Sequence, residues 1–145
     1  MSHGRGPIRR VVLDTNVIVS SLLVDGSVPA EAVDLVVGNR CKWLVDGRIV
    51  AEYRDVLTRP HLRIDPARVR KMFDVIDADA IRVIADPLDL TLPDPSDLPF
   101  VEVAVSGGAD ALVTGNLRDY QIRGGGKLDI AIVTPRQFLD LLARR

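Results

Sequence analysis

The chain has 145 residues, of which 47% are apolar, and 19 basic residues stand against 20 acidic ones, leaving a net charge of −1. This length suits one domain with an ample core, and the composition excludes a wholly disordered chain. A charge so close to neutral argues against a protein that coats DNA electrostatically. Its apolar runs are far shorter than the ~20 residues that span a bilayer, and no signal-type start is present. We therefore expect a soluble, cytoplasmic protein with no membrane partner.

The first part of the chain begins with a strand pattern and continues through helix and strand signals. In residues 9–14, two basic residues precede a continuous apolar run, which is typical of a strand buried on both faces. A helix is expected next. A Ser-x-Pro start and a glycine end predict a helix over residues 27–38. A short strand follows over residues 41–45, and Asp46 can cap a helix that ends at Leu57, before a proline.

The second part repeats this alternation. In order, the patterns predict a helix over 65–76, a strand over 81–85, a loop over 86–97, a helix over 100–107, a strand over 111–114, an irregular basic connection over 115–127, a strand over 130–133 and a last helix. That helix opens with a capping box, Thr134 to Gln137. Residues 1–7 are expected to be a disordered tail before a single domain over 8–145.

Alternating strands and helices define the fold class. They predict an α/β protein in three layers, α/β/α, with a central, mostly parallel sheet covered by helices on both faces. In such sheets the ligand site lies outside the carboxyl ends of the strands. The polar residues at those ends are therefore the candidates for chemistry.

Two carboxylates in the first part of the chain draw attention. Asp14 ends the first strand and is followed by Thr15 and Asn16, which can fix a turn and support a carboxylate. Its simpler interpretation is a helix cap. Glu52 lies within an apolar helical stripe instead of on the solvent face, and a carboxylate there needs a partner. For Glu52 the simpler interpretation is a salt bridge to an arginine such as Arg48.

Further polar residues follow later strands and turns. Asp94 and Asp97 precede the helix at Phe100, where Asp97 alone could be a cap. Asn116 and Asp119 follow the strand over 111–114, and individually they would be a turn residue and a solvated charge. Together with Asp14 and Glu52, they fall at one edge of the predicted sheet, where clustered carboxylates repel one another unless a cation is present.

This pattern of acids points to a divalent metal. The chain has a single cysteine and no Cys/His spacing typical of zinc, so oxygen atoms would have to hold the ion. Mg²⁺ and Mn²⁺ prefer oxygen ligands. Either ion can polarise a phosphoryl oxygen and acidify water, as phosphodiester hydrolysis requires.

The same residues, in this order, resemble the PIN domain, in particular the toxins of bacterial toxin-antitoxin modules that are related to VapC-type ribonucleases. The resemblance covers nearly the whole chain and rests on Glu52 and four segments: VVLDTNV (11–17), DPSDLPF (94–100), GADALVTGN (108–116) and VTPRQFL (133–139). It implies a PIN-like domain that cleaves RNA with Mg²⁺ or Mn²⁺, pairs with an antitoxin and forms homodimers.

Carried over residue by residue, the resemblance implies a set of site residues. Asp14, Glu52 and Asp97 match the metal-binding acids of the family. Asn116 stands where many relatives have an aspartate, so it would offer a neutral oxygen, and Asp119 could supply the missing charge. Catalysis would rest on the three acids with Asn116, supported by Thr15, Asn16 and Asp94. The missing charge favours a one-metal over a two-metal mechanism.

RNA approaching an acidic pocket needs a basic rim. Arg54, Arg59 and Arg118 are the candidate RNA-binding residues, although arginine-rich helix faces are also common as solvated surfaces. His61 receives no role. Two other functions stay open: a non-catalytic PIN-fold module that binds RNA or protein, motivated by Asn116, and a receiver-like phosphoacceptor domain, which the residue pattern disfavours.

Overall fold

A five-stranded parallel sheet forms the centre of the structure, a computed structural model that describes residues 8–144. The expected tail over residues 1–7 lies outside the described residues. Seven strands are present in that range: β1 (Arg10–Leu13), β2 (Lys42–Val45), β3 (Ile81–Arg82), β4 (Leu90–Thr91), β5 (Ala111–Val113), β6 (Arg123–Gly124) and β7 (Ala131–Val133). The central sheet has the order β3-β2-β1-β5-β7, and every neighbouring pair in it is parallel.

Six α-helices of the described chain flank this sheet. They are α1 (Thr15–Leu23), α2 (Val28–Val37), α3 (Gly47–Leu57), α4 (Pro66–Asp79), α5 (Leu98–Ser106) and α6 (Pro135–Ala143). Local sequence fixes most of their starts, because the predicted caps at Ser27, Asp46, Asp65 and Thr134 each accept a backbone hydrogen bond. The three-layer α/β/α prediction is confirmed.

Three segments differ from their prediction. The strand expected over 81–85 is regular only over Ile81–Arg82, with one further hydrogen bond from Val83 N to Val45 O. The expected loop and the expected irregular connection each contribute a two-residue strand, and β4 pairs with β6 in a small antiparallel ribbon. Strands this short contain no alternation to detect, and glycines with positive φ at 124–126 shape the return of the chain.

The core lies on both faces of the sheet. Val11, Val12 and Leu13 of the central strand are fully buried, as are the residues of β5 that pair with them. This burial on both faces explains the continuous apolar runs in the sequence. Within residues 8–144 no single helix is long and apolar enough to cross a membrane; only α1 and α2 together pass that test, as a pair bent by 108°.

Candidate functional site

A cavity of about 450 Å³ lies where β1 ends and α1, α3 and the turn before α5 meet. Acidic side chains outnumber the basic ones in its lining: Asp14, Glu52, Asp94, Asp97 and Asp119. Arg59 and His61 are the basic residues at its edge. Thus four of the five predicted metal ligands, together with the supporting residues Thr15, Asn16 and Asp94, come to one place.

Asp14 is the most firmly held of these acids. It is 4% exposed, and Thr114 Oγ1 and Tyr120 OH both donate to its Oδ2, over 2.8 Å and 3.1 Å. Burial raises the pKa of this carboxyl, while the Thr114 and Tyr120 hydrogen bonds oppose the rise. Although Asp14 stands at the N-cap of α1, its side chain forms no capping hydrogen bond. The simple cap interpretation is therefore wrong.

Glu52 faces the same cavity from α3. Thr15 Oγ1 donates to its Oε2, which links α1 to α3 through a predicted supporting residue. Ile49 and Tyr53, its neighbours on the stripe, are fully buried. Arg48, the alternative partner, instead forms ion pairs with Asp46 and Glu102. Glu52 is left facing the other acids, without a salt bridge among the described residues.

Asp97 reaches the cavity from a short 3-10 turn, Pro95–Asp97, that Asp94 organises. Asp94 Oδ1 accepts hydrogen bonds from Ser96 N at 2.9 Å and Ser96 Oγ at 2.8 Å, and these bonds hold its pKa below the ordinary value. Asp97 is 9% exposed and forms no capping hydrogen bond to α5. Its burial, followed by repulsion from Asp14, Asp94, Asp119 and Glu52, raises its pKa to about 7.

Asn116 and Asp119 occupy the turn after β5, but they differ in position. Asp119 lines the cavity, whereas Asn116 is not part of its lining. The Asn116 side chain accepts from Arg118 N and donates from Nδ2 to Asp119 Oδ1, both over 3.2 Å. Asn116 therefore caps the 3-10 turn Leu117–Tyr120 and orients the acid that does face the cavity.

The two strand ends that carry the site are tied together by Asn16. Its Oδ1 accepts from Gly115 N at 2.9 Å. Gly115 does not adopt a positive φ, so its conformational freedom is not what the turn requires. A Cβ at this position would lie 3.2 Å from Asn16 Oδ1, so glycine lets the two segments approach closely.

The chemistry of this donor set suits a hard divalent cation, because every candidate ligand is an oxygen and several carboxylates crowd together. Burial is the main cause of the raised pKa values of Asp14 and Asp97, and repulsion from the neighbouring carboxylates adds to it. In the described part of the chain, however, no three Asp, Glu, His or Cys side chains are placed so that they could hold a metal ion. The acids share a cavity without forming one ligand shell.

The predicted RNA-binding arginines take three different positions. Arg59 lies at the edge of the acidic cavity and forms an exposed ion pair with Asp55. Arg54 lies in the last turn of α3, with its guanidinium carbon 4.3 Å from the ring centroid of Phe73. Arg118 is exposed on the turn after β5 and does not line the acidic cavity.

Sequence reasoning assigned no role to Thr114, Tyr120 or His61. Thr114 could have been found, since the parallel register that pairs Leu13 with Val113 brings residue 114 beside Asp14. Tyr120 could not have been found, because it lies in an irregular connection, where no helical or strand periodicity of the sequence predicts its position. His61 lies in the 3-10 turn Pro60–Leu62 that follows α3, and it lines the cavity from there.

Comparisons with known proteins agree with the fold described above. The family model described as "PIN domain" matches residues 10–118. A crystal structure of VapBC2 from Rickettsia felis, bound to a DNA fragment from their promoter, is similar in fold, with a TM-score of 0.54 and 12% sequence identity. The similarity covers 86% of this chain and 98% of that one. No curated protein sequence matches the chain.

Proposed function

The chain belongs to the PIN domain family, and from that premise we propose that it is an endoribonuclease that hydrolyses RNA phosphodiester bonds with Mg²⁺ or Mn²⁺. One observation supports this most strongly. Asp14 ends the central strand, is buried, and is fixed by two hydroxyl donors at the edge of a cavity that four other carboxylates line. A helix cap or a solvated acid would need no such fixation.

In this proposal, Asp14, Glu52 and Asp97, which do not form one ligand shell in this structure, would hold the ion when it binds, and Asp119 and Asn116 would complete or orient its water shell. A bound divalent cation supplies a Lewis acid for a phosphoryl oxygen and lowers the pKa of water. Thr114 and Tyr120 fix the Asp14 carboxylate, and Thr15 fixes that of Glu52. Asn116 donates to Asp119 and so sets the position of that acid.

The substrate would approach over positive charge. Arg59 lies beside the acids, and its exposed ion pair with Asp55 is of a kind that contributes little stability, so a phosphate could replace it. Arg118, on the opposite turn, would provide a second phosphate contact. Arg54 would contact RNA farther along α3.

We extend the proposal to a toxin of a toxin-antitoxin module. The family resemblance and the fold similarity to the VapBC2 structure support this extension. A cognate antitoxin and a second copy of the chain are the proposed protein partners. If the extension holds, growth arrest on expression should disappear when the acidic cavity is disabled.

The decisive experiment compares the unaltered chain with Asp14→Asn. We expect RNA cleavage to require Mg²⁺ or Mn²⁺, and Asp14→Asn to lower it by about a hundredfold or more, because a charged ligand is lost while the shape is kept. Asp140→Asn, an exposed substitution on α6, is the matched control. Cleavage that survives chelation, or that Asp14→Asn leaves unchanged, would refute the proposal.

A second candidate, a non-catalytic PIN-fold module that binds RNA or protein, is favoured by two observations. Asn116 removes one charge that many relatives carry and is used as a turn cap, and the described acids do not form a ligand shell. Such a module would bind its partner equally well with and without Mn²⁺. Calorimetric titration with Mn²⁺ separates the two, since only the nuclease should bind the ion.

A further inference from the structure

A second and larger cavity, of about 580 Å³, lies between α3, the turn Pro60–Leu62 and α4. Its apolar lining includes Leu57, Val69 and Phe73, all nearly fully buried. Its rim carries four arginines: Arg54, Arg59, Arg63 and Arg70. A volume of this size and an apolar floor with a few polar groups are typical of ligand sites.

This cavity adjoins the acidic one, because Arg59 lines both. A polymeric ligand whose reacting bond lies over the acids would therefore pass Arg59, and its neighbouring monomer units would reach the apolar cavity. The Arg59 side chain is half exposed, and within residues 8–144 it forms one ion pair, with the exposed Asp55. It is free to turn towards such a ligand at little cost.

The charge of the rim indicates an anionic ligand. Among residues 8–144, Arg54, Arg63 and Arg70 form no salt bridge with a carboxylate, and all three are exposed. Asp74 and Asp77 also line the cavity, and Asp77 lies 3.4 Å from Arg82, which does not line it. Two aspartates beside four arginines leave an excess of positive charge for phosphates.

The apolar floor of the cavity, in contrast, suits a flat apolar part of the ligand. The guanidinium of Arg54 covers the ring of Phe73 at 4.3 Å, so an aromatic ring and a planar cation are already stacked at the cavity. A guanidinium plane is also a surface on which nucleobases stack. A base laid on Arg54 would extend this stack, with the phosphates on either side of it near the other arginines.

We propose that this cavity is a nucleotide-binding subsite, in which a base of single-stranded RNA next to the scissile phosphate stacks on Arg54 while its phosphates contact Arg59 and Arg70. The inference rests on the proposed function, since it takes the acids as the cleavage site. An unpaired base is required, because a base inside a duplex is already stacked on its neighbours and cannot enter a pocket between two helices. An acidic peptide is disfavoured because it would meet Asp74 and Asp77, whereas a base can donate amino hydrogens to them.

The test measures RNA binding without cleavage, by fluorescence anisotropy of a labelled single-stranded RNA of about eight nucleotides in EDTA. We expect Arg54→Ala to raise the Kd about tenfold, the loss of one stacked base. Arg54→Lys keeps the charge but not the plane, and it should weaken binding nearly as much. Arg70→Ala should raise the Kd and flatten its salt dependence.

Arg40→Ala is the matched control, since Arg40 is exposed at the opposite edge of the sheet, before β2. Circular dichroism confirms that each variant is folded. The subsite is overturned if RNA does not bind, if Arg54→Ala and Arg40→Ala have equal effects, or if Arg54→Lys binds as the unaltered chain does. Loss of binding to an acidic peptide in Arg54→Ala, with RNA binding unchanged, would also overturn it and assign the cavity to a protein partner.

The subsite and the nuclease can fail separately. RNA binding that depends on Arg54, combined with no cleavage at any Mn²⁺ concentration, would keep the subsite as a binding site and refute the nuclease. Cleavage by Arg54→Ala with an unchanged KM would keep the nuclease and overturn the subsite.

Discussion

Asp14 and Asp97 show that an aspartate at a helix N-cap position need not act as a cap. Both stand at helix N-caps, where aspartate is common because its side chain satisfies free backbone N–H groups. Neither forms the capping hydrogen bond. The sequence alone predicts the position of each carboxylate, through the strand end and the Asp-Pro-Ser-Asp turn. It cannot tell a cap from a ligand, because that depends on partners as distant as Tyr120.

Tyr120 is predicted to be a positioning residue for Asp14. In Tyr120→Phe a donor to the carboxylate is lost, so the pKa of Asp14 should rise further above its ordinary value. Asp14 would then stay protonated to higher pH, and the acidic limb of the pH-activity profile should move upward. We expect a loss of about tenfold in activity on that limb, recovered in part at higher pH.

Tyr53→Phe is the matched control for this profile. Tyr53 is also buried, but its hydroxyl donates to Leu13 O and not to Asp14. It should lower stability without moving the acidic limb. A parallel shift in both variants would mean that Tyr120 acts only through packing.

Asn116 and Asp119 lead to a prediction about metal affinity. Asp119 lines the cavity and receives a hydrogen bond from Asn116, so Asn116→Asp would replace a donor with a second negative charge. The metal-free variant should be less stable, and Mn²⁺ should recover that stability. Asp119→Asn should weaken Mn²⁺ binding. Calorimetric titration and thermal unfolding of both variants measure these effects, and unchanged affinity in Asp119→Asn would remove Asp119 from the ligand set.

At the scale of elements, the helices were more predictable than the connections between strands. Caps at Ser27, Asp46 and Asp65 are local signals, and each fixed the start of a helix. The ribbon of β4 and β6 joins segments about thirty residues apart in sequence, with no alternation in either. The second cavity likewise depends on how α3 and α4 pack, which a list of arginines along the chain does not reveal.

Arg48 provides a test of how α3 is held against α5. It forms ion pairs with Asp46 at 2.8 Å and Glu102 at 2.7 Å, and Glu102, buried on α5, also accepts from Leu88 N. Arg48→Ala would leave the buried Glu102 carboxylate with no cation, so we expect a loss of about 2 kcal/mol in the free energy of unfolding. Denaturation by urea measures it.

The pair Arg48→Met with Glu102→Gln is the control for that change. It removes both charges, so it should restore part of the stability lost in Arg48→Ala. Arg82→Ala breaks an exposed ion pair with Asp77 and should cost far less. Equal losses in Arg48→Ala and Arg82→Ala would show that the buried carboxylate does not tie the two helices together.

For the whole molecule, fold and site were predictable to different extents. Alternating apolar runs and caps are repeated many times along the chain, so errors in one strand, such as β3, leave the three-layer architecture unchanged. The acidic cavity depends on single contacts between distant segments, as between Asn16 and Gly115 or Thr15 and Glu52. Such contacts produce no repeated pattern in a single sequence, so sequence reasoning assigned Thr114, Tyr120 and His61 no role in the site.

The acidic cavity should also make the stability of the whole protein depend on pH and metal in a defined direction. The pKa of Asp97 rises from 3.8 to about 7 on folding, so between these values the folded chain keeps a proton that the unfolded chain has released. The contribution of Asp97 to stability in EDTA should therefore be greatest below the unfolded pKa and should be lost as pH rises through the folded pKa, and the raised pKa of Asp14 acts in the same direction. In Asp97→Asn the decline in melting temperature between about pH 5 and pH 8 should be smaller than in the unaltered chain or the control Asp140→Asn.

Mn²⁺ should raise the melting temperature of the unaltered chain more at about pH 8 than at about pH 5, because ion and proton compete for the same carboxylates. Thermal unfolding at both pH values measures this, and an equal decline in Asp97→Asn and the unaltered chain would contradict the assignment of the dependence to Asp97.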